Sequence, residues 1–163
     1  MATHVGNFIQ IVLRSHVAGT APNSGAYGVD LSHLRTPSTG TTDGQWDLGG
    51  GKTYSVTSSP TSVDLRSFTP EGAASAQTIV DVDVVVVVAS SANTANVTVS
   101  TGASNGYAVA LGASGSSTLA PNAVIAWTCP TSAGATDATH KTIDLAAASG
   151  TQSVTVYVFG RSA

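Results

Sequence analysis

Residues 102–106 read Gly-Ala-Ser-Asn-Gly. They fit the G-x-S-x-G turn that presents a nucleophilic serine, here Ser104. That chemistry requires a strand before the turn and a helix after it. The flanks, NVTVS and YAVAL, both alternate as strands, so we expect a hairpin turn. GGGKT, residues 49–53, fits the end of a phosphate-binding loop. Trp46 stands where that pattern needs its first glycine, and a strand-like run follows instead of a helix. We read it as a flexible connection. Asp81 and Asp83 fall on one side of a strand and offer two carboxylates to a calcium ion; the commoner reading is a solvated strand start. His4, His16, His33 and His140 are scattered, with no spacing that converges on zinc. No metal, cofactor or catalytic residue is expected.

Elements that would position such groups are short and β-type. In NFIQIVLR, Ile9, Ile11 and Leu13 share one face. Residues 15–45 are rich in Gly, Pro, Ser and Thr and read as a loop with one weak strand at YGVDL. Beyond them QWDL, KTYSVTS, TSVDL, TIVDVDVVVVVAS, NVTVS, GYAVAL, STLA, AVIAWTC, KTIDLA and SVTVYVFG are each bounded by turn residues. Closely spaced strands without helical crossovers predict an all-β fold, an antiparallel β-sandwich, jelly-roll-like, with an extended N-terminal arm. The division is residues 1–42, arm and loop-rich segment, and 43–163, sandwich.

Composition bounds the function. Charged residues make up 9% of the 163, against about 25% in an ordinary soluble domain. Net charge is −3 with no cluster of Lys or Arg, so neither nucleic acid nor a membrane is an expected partner. A surface so poor in charge resists association weakly. The single cysteine, Cys129, excludes an intrachain disulfide. The N-terminus carries no cationic leader segment, and synthesis in a reducing cytoplasm fits.

The valine run Val84–Val88 sharpens this expectation. Strand residues alternate faces, which puts Val80, Val82, Val84, Val86 and Val88 towards the core. Asp81, Asp83, Val85 and Val87 then face outwards. Leaving Val85 and Val87 wet would cost roughly 3–5 kcal/mol, so either the chain's own N-terminal segment or a neighbouring subunit is expected to cover them; the apolar outer face of the last strand as well favours a subunit. In the last strand, Val154, Val156 and Val158 point inwards, and Thr155, Tyr157 and Phe159 outwards. Trp46, at a strand end, is a candidate exposed anchor for a subunit or a sugar. Trp127, in an apolar strand, reads as core. Candidate interface residues are therefore Ile9, Ile11, Leu13, Trp46, Val85, Val87, Tyr157 and Phe159.

The succession TIVDVDVVVVVASSANTANVTVSTG, LGASGSSTLAPNAVIAWTCPTSAGA and KTIDLAAASGTQSVTVYVFGRS resembles small virion proteins of tailed bacteriophages, over residues 43–163. Asn122 and Ala123 replace a glycine-rich turn of that group, and the first 40 or so residues have no counterpart in it. The resemblance implies a structural protein of the particle, commonly a capsid decoration (cement) protein, with no catalytic residues. It implies partners in the major capsid protein and in copies of itself, a trimer being favoured. The location would be the capsid surface, after synthesis in the host bacterial cytoplasm. An arm supplying Ile9, Ile11 and Leu13 as an added strand would grip a neighbour. A tail or neck component, and a carbohydrate- or receptor-binding sandwich, are the alternatives.

Overall fold

The computed structural model describes the backbone of residues 9–18, 26–35, 38–43, 45–109, 111–129 and 132–163. Side chains are described over 40–43, 45–109, 111–129 and 133–163. The chain forms two compact units, Met1–Ser38 and Thr39–Ala163. In the first, β1 (Ile9–Ala18) and β2 (Ala26–Arg35) form an antiparallel pair in unbroken register from Ile9↔Arg35 to Ala18↔Ala26. The weak strand expected near 27–31 is thus ten residues long, because β1 supplies a partner along its whole length. Ile9, Ile11 and Leu13 lie on β1, outside the residues whose side chains are described.

The second unit is all-β and antiparallel. After β3 (Ser38–Thr39), which straddles the boundary, come β4 (Gln45–Trp46), β5 (Leu48–Val56), β6 (Thr61–Asp64), β7 (Ser67–Phe68) and β8 (Gln77–Thr78). It continues with β9 (Asp81–Ala89), β10 (Val97–Thr101), β11 (Ser116–Leu119), β12 (Val124–Thr128), β13 (Thr142–Ala147) and β14 (Gln152–Arg161). Two four-stranded sheets, β11-β10-β13-β6 and β12-β9-β14-β5, carry the architecture. Among these eight strands the first pairs with the last, the second with the seventh, the third with the sixth and the fourth with the fifth. That nesting is one long hairpin rolled onto itself, the topology of a jelly roll. The fold matches the expectation from alternation and turn spacing.

The core lies between the sheets. Val97, Val99, Ile143 and Leu145 of one sheet meet Val85, Val87, Val154, Val156 and Val158 of the other, all buried. Turn chemistry holds the crossover from β11 to β12. Ala123 N donates to Ala120 O at 3.0 Å across Pro121 and Asn122. Asn122 takes φ 66°, the left-handed geometry that asparagine tolerates better than most residues.

The valine run is where alternation misleads. On β14, Phe159 lies opposite Val84 but Gly160 lies opposite Val82, so Asp83 has no residue across from it. This β-bulge adds one residue to β9 and inverts the parity beyond it. Val82 faces the core as alternation expects, but so do Val85 and Val87, while Val84, Val86 and Val88 face outwards. The expectation that Val85 and Val87 form an outer interface is therefore corrected: both are fully buried core residues. Gly160 sits against the bulge, where a Cβ would run into the Asp81 carbonyl oxygen.

Two other segments depart from expectation. Gly49–Thr53 is a continuous part of β5, not a flexible connection. The residues after Gly106 form no strand. Tyr107 N donates to Thr142 O at 2.7 Å, and its buried hydroxyl donates to Gly134 O at 3.0 Å. The segment is pinned across the end of β13 instead of extending as a hairpin arm.

The bulge makes a direct prediction for stability. Val87→Thr puts an unpartnered hydroxyl into the core and should cost about 1–3 kcal/mol. Val86→Thr, one residue away on the outer face, should stay within about 0.5 kcal/mol. Urea unfolding of the two variants measures this difference, and the reverse order would place the register one residue out.

Candidate interaction surface

The two sheets turn different outer faces to their surroundings. On β11-β10-β13-β6 the positions alternating with the core residues are Thr98, Ser100, Ser116, Thr118, Thr142, Asp144, Ser62 and Asp64, with Ala146 the one apolar member. This face is polar and anchored. Lys141 Nζ lies 2.7 Å from Asp64 Oδ2, and Ala103 N donates to Asp144 Oδ2 at 2.9 Å. Partial burial alone would raise the Asp64 pKa. Its hydrogen bonds from Lys141 and from backbone amides outweigh that and hold the carboxyl below the usual carboxylate range.

The outer face of β12-β9-β14-β5 carries no formal charge. It consists of Val124, Ala126 and Thr128 on β12 and Val86 and Val88 on β9, while Val84 lies on the same side but is covered, at 2% exposed. Ser153, Thr155, Tyr157 and Phe159 follow on β14, with Gly49, Gly51, Thr53 and Ser55 on β5. The glycines have a packing role. A Cβ on Gly51 would lie 2.6 Å from Tyr157 Cδ1, and one on Gly49 would strike the Phe159 ring. Both aromatic rings therefore lie over bare backbone of the neighbouring strand, which flattens the surface. Trp46 closes one end by stacking on Phe159, centroids 5.1 Å apart and planes at 27°. Asp47 fastens that end: its amide donates to Gly160 O at 3.2 Å, and its Oδ1 accepts from Ser162 N at 2.8 Å. The other end is open, with Val124 56% and Tyr157 40% exposed.

Of the residues expected at an interface, Tyr157 and Phe159 lie on this face, with Phe159 partly covered. Trp46 is 4% exposed, so it is a lid on Phe159 and not a free anchor; the aromatic partner it stacks on is remote in sequence. Val85 and Val87 belong to the core. Val86 and Val88 are the surface residues that simple alternation misses, and the bulge is what turns them outwards; Val124 faces outwards by plain alternation with Trp127.

Asp81 and Asp83 are not a solvated pair. Arg161, 2% exposed, places Nη2 at 3.0 Å from Asp81 Oδ2 and 3.8 Å from Asp83 Oδ1, and its Nη1 pairs with Asp43. Burial works against the guanidinium charge, but the Asp43 hydrogen bond and the charges of Asp83 and Asp81 outweigh it and raise the arginine pKa. Burial likewise pushes the Tyr107 phenol up, with Cys129, Asp81 and Asp83 adding to the shift. Among the described residues no three His, Cys, Asp or Glu side chains converge as ligands for a metal. Ser104 sits in a turn that no helix follows, and its carbonyl accepts from Thr142 Oγ1 at 2.5 Å.

A shallow recess of about 380 Å³ opens beside Tyr54, Asn93 and Gln152. Its amides are engaged internally. Gln152 Oε1 accepts from Thr94 N at 2.9 Å, while Asn93 Nδ2 donates to Ser153 O at 2.9 Å and its Oδ1 accepts from Ser153 N at 2.8 Å. These bonds tie the loop at Asn93 and Thr94 to the first residues of β14. Comparison with known proteins found no matching family model, curated protein or solved structure.

An uncharged, half-apolar sheet face is a candidate surface for contact. Val124→Lys should leave the melting temperature nearly unchanged, because Val124 is exposed. It should weaken association of the purified chain about tenfold or more, since a charge would have to be desolvated. Sedimentation over a concentration series reads the outcome; unchanged association would remove this face from the contact.

Proposed function

We propose that this chain is a structural subunit of a tailed-bacteriophage particle, a capsid decoration protein that binds and stabilises the head shell and performs no catalysis. The observation that carries the reading is the contrast between the sheets: Ser, Thr and Asp on one outer face, no charge on the other. A rigid jelly roll with one charged and one uncharged side suits a protein that lies on a surface made of other subunits. The resemblance over residues 43–163 supports the same reading, and viral shells are among the settings in which jelly rolls occur. In this reading the partners are the major capsid protein and further copies of the chain. It is made in the host cytoplasm and resides on the capsid surface. The unit Met1–Ser38 supplies the arm, and residues 9–13 of β1 grip a neighbour.

Cosedimentation of the full chain with empty heads tests the proposal. The expected result is saturable coating that raises the resistance of heads to heat or chaotrope. Removal of residues 1–14 should weaken coating while the unit Thr39–Ala163 keeps its cooperative unfolding. Rings that ignore heads would point to a tail or neck position, and glycan binding by a monomer to a receptor module. Either result overturns the decoration reading.

A further inference from the structure

The edge of the uncharged sheet carries a second feature, independent of its face. β12 pairs with β9 on one side only. Ala123 O accepts from Ala89 N, and Cys129 N donates to Asp83 O, so the odd-numbered residues of β12 turn their backbone groups towards β9. By the alternation of an antiparallel ladder, Val124, Ala126 and Thr128 turn their N–H and C=O groups the other way. No described residue bonds them from that side.

Natural edge strands are blunted by lysine, an inner proline, a bulge or a covering segment. Among the described residues β12 has none of these. Its sequence is VIAWT, with Pro121 and Pro130 lying outside it, and no residue from Val84 to Thr136 is charged. The opposite edge of the same sheet is treated differently. On β5, Gly49 N donates to Gln77 Oε1 at 2.9 Å and Gly51 O accepts from Glu71 N at 2.8 Å, so half of that edge is capped by the chain itself.

We infer that β12 is the seam at which a second copy of this chain joins, antiparallel and about a two-fold axis through Ala126. This register alone pairs all five residues. Val124 meets Thr128 of the other copy, Ile125 meets Trp127, and Ala126 meets its own counterpart, with no charge opposed to another. The seam turns two four-stranded sheets into one of eight strands and lays the two uncharged faces side by side. It gives each shell contact twice the width that one subunit offers. The inference deepens the assembly reading and rests on it. It replaces the threefold association that the resemblance implies with a two-fold pair.

Two variants of the full chain test the seam. Residues opposite one another in a hydrogen-bonded pair have Cα atoms about 5.5 Å apart, within disulfide reach. Ala126→Cys in a Cys129→Ser background should form a disulfide dimer on mild oxidation, while Thr53→Cys in the same background should not. Ala126→Pro deletes one outward N–H and leaves the β9 ladder intact. Its mass by light scattering should fall by about half relative to the parent, with the body still folded. The inference is overturned by a parent that is monomeric or trimeric, by Ala126→Cys that stays uncross-linked, or by folded Ala126→Pro that keeps the parent mass. Monomers that still coat heads would remove the seam and leave the assembly reading in place.

Discussion

Asp83 faces no residue on β14, and the fold depends on how that extra residue is held. One guanidinium, buried at Arg161, lies between Asp81, Asp83 and Asp43. Three carboxylates around one cation would be costly in isolation. A buried ion cluster is retained where breaking it costs more than forming it, because removing one partner strands the others without water. Here the cluster ties the end of β14 to the start of β9, at the point where the ladder skips a residue. Below the bulge Val82 faces the core; above it Val85 and Val87 do. Both halves of the strand bury valine because the register shifts between them.

The same shift creates the outer face. With Val85 and Val87 inside, the outward positions are Val84, Val86 and Val88, flanked by Tyr157 and Phe159 lying over glycine backbone. Lysine or glutamate among such residues is one device by which sheets resist association. Instead, charge is concentrated on the polar sheet, in the Arg161 cluster and in exposed turns such as Asp137–His140, where Asp137 accepts hydrogen bonds from Thr139 and His140. One face of this sheet builds the core and the other carries no charge, so the association proposed above would draw on side chains that the core does not use.

Much of this was legible in the sequence. Alternation located most strands of the jelly roll, the split of β14 into inward valines and outward Thr155, Tyr157 and Phe159, and the apolar role of Trp127. What failed did so for identifiable reasons. A bulge is a one-residue event that local periodicity does not report, so the faces of the valine run were assigned in reverse beyond Asp83. Gly49–Gly51 read as a flexible link because glycine signals freedom, whereas here it makes room for Pro70 and the rings of Tyr157 and Phe159. Trp46 and Asp81 read as exposed because their partners, Phe159 and Arg161, stand at the other end of the chain.

Amide hydrogen exchange of the full chain across a concentration series tests the central claim most directly, because it reports each strand separately. If the uncharged sheet is the assembly surface, exchange at Val124, Ala126 and Thr128 should slow as concentration rises. Exchange in β10 and β13 of the polar sheet should stay constant. Protection that grows instead on the polar sheet, with β12 unchanged at every concentration, would contradict the account.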